Sequence, residues 1–284
     1  MKRNSMFFCL VTVVYCLSAQ TEFRVMTYNI RLDVASDSGN AWIYRKENFV
    51  SMIRFHKPDL LGMQEVLKHQ LEYVVQELPE YGWFGVGRDD GKAAGEYMAV
   101  LFRKERFDTL STSTFWCSEN PDKPGLGWDA ACNRTVTWGA FRDRKIRTEF
   151  FFFNTHFDHV GVTARRESSK LLMNKIAALT GNERVVITGD FNSIPSDEPY
   201  GIIVHPNAKK KFFDARAVSK QQPHGPKGSF NGFNTGAVPA EPIDYIFVSD
   251  GISVLRHGTL AELIGGRFPS DHFPVVADLL FQKK

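Results

Sequence analysis

Short apolar runs recur along most of the chain, and six of them end in, or carry near one end, polar side chains. The clearest is Val185-Val186-Ile187-Thr188-Gly189-Asp190-Phe191-Asn192-Ser193: β-branched residues, a glycine turn, then Asp190 and Asn192. In an extended segment, residues two apart point the same way. A carboxylate and an amide together at the end of a buried strand are unfavourable unless they bind something or do chemistry. Taken alone, the same stretch reads equally well as an ordinary Gly-Asp, Asn-Ser turn.

The other runs follow the same layout. Residues 23–29 read as a strand ending in Asn29, and 59–65 as one ending in Gln64 and Glu65. Shorter strands are expected at 82–87, 97–103, 106–116 and 134–142, and 146–155 leads into His156 and Asp158. Residues 184–190, 243–248 (with Asp244), 252–257 and 273–281 complete the set, the last preceded by Asp271 and His272. Helical spacing appears at 43–56, with Phe49, Met52, Ile53 and His56 on one face. It recurs through Leu71, Val74, Val75 and Leu78, and at 164–180 with Ser168, Leu172, Ile176 and Leu179 inward. A short helix is expected after Pro195. Residues 118–133 and 206–241 read as loops. Strands mostly joined by short loops, with few helices, predict two packed sheets with helices outside, in a single domain spanning 20–284.

The N-terminus departs from this pattern. Lys2 and Arg3 precede an apolar run at 6–17 and the small residues Ser18 and Ala19, the layout of a cleaved secretory signal over 1–19. An exported protein that does not insert in a membrane, and a monomer, is expected. The formal charge of the 284 residues is +3, of which Lys2 and Arg3 carry two, so the remainder lies near +1. That balance speaks against nonspecific gripping of nucleic-acid backbones. Cys117 and Cys132 remain after the leader and form one expected disulfide in an oxidising compartment.

Asn29, Glu65, His156, Asp190, Asn192, Asp244, Asp271 and His272 together supply carboxylates, amides and imidazoles, a set suited to a hard cation and a phosphate. Carboxylates outnumber histidines, which favours Mg²⁺ or Mn²⁺ over the zinc site that His156-Phe157-Asp158-His159 would otherwise suggest. There is no Gly-x-Ser-x-Gly elbow, phosphate-binding Gly-x-x-x-x-Gly-Lys loop or Cys-x-x-Cys pair.

Met26-Thr27-Tyr28-Asn29, Leu61-Gly62-Met63-Gln64-Glu65-Val66, Asn154-Thr155-His156, Gly189-Asp190-Phe191-Asn192-Ser193, Ile243-Asp244-Tyr245-Ile246 and Ser270-Asp271-His272-Phe273-Pro274-Val275 resemble, in order, the motifs of the endonuclease/exonuclease/phosphatase superfamily, which is DNase I-like. The resemblance is closer to a bacterial, deadenylase-like branch. It implies a four-layer α/β/β/α sandwich with two mixed, mostly antiparallel sheets and the site at one end of both. It further implies that Glu65 is the main Mg²⁺ ligand, assisted by Asn29 and Asp271. Asp190 would orient or deprotonate the attacking water, and Asn192 would hold that water or the phosphate. His272 would bond a phosphate oxygen with Asp244 behind it, and His156 would contact phosphate or the leaving side. Some DNA-repair members carry an acid where this chain has Arg31, which argues against a second metal there and against a DNA-repair substrate.

Arg134 is a candidate phosphate ligand, though an Arg at a strand start is often simply ion-paired. Trp116, Trp128 and Trp138 either line a pocket or pack in the core. With few charges expected around the site, and aromatic stretches at 115–138 and 223–242 as walls, a small or terminal phosphoester is favoured over DNA or RNA. A secreted nuclease and an inactive binding module on the same fold are the alternatives.

Overall fold

A computed structural model describes residues 21–236 and 238–282; the expected leader lies outside them. Strands β1 (Phe23–Asn29), β2 (Leu60–Gln64), β3 (Tyr81–Phe84), β4 (Val100–Arg103), β11 (Ile252–Thr259) and β12 (Val275–Phe281) form one sheet in the order β11-β12-β1-β2-β4-β3. The second has the order β5-β6-β7-β8-β10-β9. Its members are β5 (Phe107–Trp116), β6 (Thr135–Asp143), β7 (Thr148–His156), β8 (Arg184–Asp190), β9 (Phe212–Asp214) and β10 (Asp244–Ser249). Among the strands of the described residues, only β1–β2 and β7–β8 pair in parallel. Each parallel pair is joined through a helix, α1 (Trp42–His56) or α3 (Val162–Thr180), as a parallel crossover requires.

Strand alternation builds the layers. Val25, Leu60, Phe150, Phe152, Val186 and Ile246 face inward between the sheets. Met26, Tyr28, Leu61 and Met63 face outward under α1 and α2 (Lys68–Glu77). Phe153, Val185, Ile187 and Phe247 face outward under α3 and α4 (Glu198–Ile203). This is the four-layer α/β/β/α sandwich expected from the sequence.

Near one end of the sandwich the apolar filling gives way to a fully buried polar layer. Gln64 donates to Thr27 Oγ1 (3.0 Å) and Asn154 Oδ1 (2.7 Å). Asn154 donates to the carbonyls of Met63 and Ala99, and Thr188 Oγ1 lies 3.1 Å from Asn154 Oδ1. These bonds link both sheets and fix how the strand ends meet, with Gln64 Oε1 the one side-chain atom of these four residues left without a partner among the described residues.

Three local expectations are corrected. Leu179 is 38% exposed, and Thr180 takes the inward place at the end of α3 by bonding Ile176 O. A short strand, β9, lies inside the stretch read as irregular. Cys117 and Cys132 are free thiols: Cys117 is buried in the core beneath α3, whereas Cys132 points to Asp158 Oδ2 at 3.8 Å.

Candidate active site

The strand ends converge because their registers do. His156 of β7 pairs with Asp190 of β8, and Asp190 pairs with Asp244 of β10. Across the sandwich Asn29 sits beside Gln64, and the next residue, Glu65, turns out of β2 with a left-handed φ of 61°. Asn192 (φ 46°) and Arg31 (φ 58°) also occupy that region. Backbone strain of this kind costs about 1–3 kcal/mol per residue and persists where surrounding contacts enforce it. Here it turns functional side chains into one cavity of about 690 Å³.

Asp190 lies at the centre. Its Oδ1 accepts from the Asn192 amide N–H (3.0 Å) and its Oδ2 from Asn29 Nδ2 (3.0 Å). His156 Nε2 and His272 Nε2 lie 3.4 and 3.8 Å from Oδ2. Burial, then the Asp244 charge, push the Asp190 carboxyl up to about 7, against the lowering effect of His272 and Asn29. His272 Nδ1 is 2.8 Å from Asp244 Oδ2. Burial disfavours the imidazolium, but Asp244, with Asp190 and Asp271, holds it well above the usual histidine range. His156 is driven the other way by burial and by Arg134 and Arg88, so it is neutral. Asn192 Nδ2 is 3.1 Å from His156 Nε2 and donates to Phe157 O. The two histidines flanking Asp190 therefore differ in charge.

On the other side of Asn29 is an oxygen cluster. Asn29 Nδ2 also donates to Glu65 Oε1 (3.0 Å), while its Oδ1 accepts the Arg31 N–H. Two carboxylates on one side and an N–H on the other settle the orientation of this amide. Glu65 Oε2 accepts from Leu32 N. Asp271 is raised by burial, in part offset by His272, and raised again by the Glu65 charge. Two carboxylates that repel each other beside an open cavity, with hard oxygen donors, fit a divalent cation. Arg31, paired with Asp37 at 2.9 Å, stands 4.0 Å from Glu65 and 3.7 Å from Asp271 and so places a fixed positive charge beside both. Asp190, Asp244 and His272 also lie close enough to share a metal ion, but the direct Asp244–His272 bond already uses that geometry.

Every expected site residue lies on or beside this cavity, Arg134 included. Arg134 is buried, bound to Asp158 Oδ2 (3.3 Å) and His159 Nδ1 (2.9 Å). The expectation of few charges is overturned: Arg31, Arg88 and Arg134 all line the cavity. Of the two readings left open for the tryptophans, neither Trp116 nor Trp138 lines this cavity. Trp138 stacks on Phe153, and Trp116 lines a separate groove with Trp83. The aromatic wall is Phe230, packed edge-on to His272 at 5.1 Å, with Phe233 beyond, both from the 223–242 stretch expected to supply one. Three groups were not foreseen. Glu96 and Arg88 come from a loop with no strand-end signal. Arg45, buried on α1, donates to the Ile30, Arg31 and Pro269 carbonyls and braces the turn after β1.

The model of the Endonuclease/Exonuclease/phosphatase family matches residues 26–272. A mannosyl-6-phosphatase from Bacteroides thetaiotaomicron has a similar structure, with 37% identity over 91% of this chain and 100% of that one and a TM-score of 0.87. A Bacteroides vulgatus endonuclease/exonuclease/phosphatase has 40% identity over 93% and 100%, also with a TM-score of 0.87. Among curated proteins, an uncharacterized mimivirus protein (Acanthamoeba polyphaga mimivirus) is 26% identical over 160 residues, 54% of this chain and 59% of that protein. Motif order, sandwich and convergent strand ends agree with these matches: the chain belongs to the Endonuclease/Exonuclease/phosphatase family of phosphoester-hydrolysing enzymes.

Proposed function

We propose that the chain is an exported phosphoesterase that uses Mg²⁺ or Mn²⁺ and water to release phosphate from a small or terminal phosphoester, a phosphorylated sugar foremost. The observation that carries this reading is the single cavity in which a buried carboxylate, a charged histidine and an oxygen-rich cation site face one another. The mannosyl-6-phosphatase activity named for a relative of 37% identity supports a sugar phosphate. Lys2 and Arg3 ahead of the apolar run 6–17 and the small residues Ser18 and Ala19, a secretory-signal layout, support export.

Phosphoryl transfer asks the protein for position and charge neutralisation more than covalent work. Glu65 and Asp271 would hold the cation, which would supply positive charge to the phosphate oxygens. Asn29, expected from the sequence to assist them as a ligand, instead turns its NH2 to Glu65 and Asp190 and fixes those carboxylates in place. Asp190 is placed to orient a water and take its proton. Its raised proton affinity suits that role near neutral pH. Asp244 occupies His272 Nδ1, so Nε2 is the nitrogen free to donate to a phosphate oxygen. Asn192 and the neutral His156 complete the ring around the attacking side. A panel of hexose phosphates, oligoadenylate and plasmid DNA with Mg²⁺, Mn²⁺ or EDTA tests the proposal. Metal-dependent release of phosphate from the small esters is expected. Efficient plasmid nicking, falling steeply with salt, would instead make the chain a nuclease. Turnover of nothing in the panel would leave the inactive binding module.

A further inference from the structure

The cavity continues past these groups to a second cluster that none of the roles above uses. Arg88 and Glu96 lie on the loop between β3 and β4 and pair at 2.6 Å through Nη1 and Oε2. Arg134 bridges Asp158 and His159 beside them. The loop is held firmly: Arg88 N bonds Glu96 O, Asp89 N bonds Ala94 O, and Trp116 Nε1 donates to Arg88 O at 2.6 Å. A buried ion pair gains little stability over an apolar pair of the same shape. This one faces the cavity that holds Asp190 and His272, so a ligand is the better explanation for it.

The atoms left over define that ligand. Glu96 bonds through Oε2 only, which leaves Oε1 as an acceptor. His159 takes an Arg134 N–H on Nδ1, so its own proton is on Nε2, and its ring is exposed at the rim. Arg134 Nη1 and His156 Nδ1 have no hydrogen-bond partner among the described residues. Arg88 pairs with Glu96 and Arg134 with Asp158, so each guanidinium has an acid beside it, although burial and the Glu65 charge, against Arg88, push the Glu96 carboxyl up to about 7. A second phosphate would meet the Glu96 carboxylate and gain no net attraction. A hydroxyl, which donates and accepts at once, matches a neutral set with a free acceptor among donors. Resting on the sugar-phosphate reading, we infer that Arg88, Glu96, Arg134 and His159 bind the hydroxyl groups of the leaving alcohol, and so select a polyol over an apolar alcohol or a second anion.

The test compares kcat/KM for a hexose 6-phosphate, cyclohexylmethyl phosphate and a hexose 1,6-bisphosphate in wild type, Glu96→Gln and His159→Ala. The last replaces an exposed ring and does not threaten the fold. Wild type should favour the hexose 6-phosphate over the cyclohexylmethyl ester by about 100-fold, since sites that pair hydroxyls reject analogues lacking them. Glu96→Gln should shrink that ratio by about tenfold, as a lost charge-assisted bond does, and His159→Ala by about fivefold, as a lost neutral bond does, both chiefly through KM. A wild-type ratio within about threefold, far below what lost hydroxyl pairing gives, would overturn the subsite and leave the phosphoesterase reading intact. So would a ratio unchanged in both variants, or a preference for the bisphosphate. Failure of wild type to release phosphate from any of the three esters with Mg²⁺ or Mn²⁺ would remove the sugar-phosphate reading, and the subsite with it.

Discussion

Asp244→Asn isolates what the Asp244–His272 pair contributes. The two atoms are 2.8 Å apart and both side chains are buried. At that distance, with an effective dielectric constant of about 20, a carboxylate and an imidazolium attract by about 6 kcal/mol. Asparagine keeps an acceptor in the same place, so about 1 kcal/mol of neutral hydrogen bonding survives. Up to about 5 kcal/mol of charge interaction is therefore removed from His272. Only the share realised as charge develops on the phosphate slows the reaction. Loss of one such donor typically lowers kcat by about 10²–10³. The fold should survive, because Asp244 Oδ1 has no hydrogen-bond partner and an amide nitrogen there breaks no existing bond. Initial rates on the best ester, with melting curves, give the answer. The expected result is a kcat about 10²–10³ lower with Tm within a few degrees. A loss below about threefold in a folded variant, far short of a donor's usual worth, would refute the dependence of His272 on Asp244.

Gly62→Ala should destabilise the fold by about 2 kcal/mol or more, because a Cβ there would lie 2.4 Å from Asn154 Oδ1 and Thr188 Oγ1 in the buried polar layer; an unchanged urea midpoint would contradict this. Asp158 is raised by burial, but the Gly161, Val160 and Ala131 N–H groups, then Arg134, hold it at about 2, below its usual 3.8. A folded value below the unfolded one stabilises above the unfolded pKa, and this contribution is lost as pH falls from about 4 through about 2. The stability gap between wild type and Asp158→Asn should therefore close over that range in urea titrations, and a constant gap would refute it. Cys117 and Cys132 should both alkylate in denaturant without reductant, and a Cys117–Cys132 cross-linked peptide would show the thiol assignment to be wrong.

The strand ends were legible because each breaks an apolar run: Asp190 after Val185-Val186-Ile187, or Asn29 after Met26-Thr27-Tyr28. Their convergence needs the sheet registers, which no single strand reveals. The polar layer of Gln64, Asn154 and Thr188 left a weak signal, an amide directly after the four phenylalanines 150–153, but its role requires both sheets at once. Arg88 and Glu96 left none: a charged loop reads as solvent-facing until Trp116 and the loop's own bonds turn it inward. Trp116 and Trp138 look alike in sequence, yet strand alternation sends neither into the cavity. Leu179 failed because α3 ends there, and a terminal helical residue need not keep its face.

The most direct measurement is a single turnover of the best ester in H₂¹⁸O with Mg²⁺, with the products analysed by mass. One ¹⁸O in the released phosphate is predicted, none in the alcohol, with turnover abolished by EDTA and by Asp190→Asn. Label in the alcohol, or turnover that persists in EDTA, would contradict attack on phosphorus by a water held against Asp190 beside a cation at Glu65.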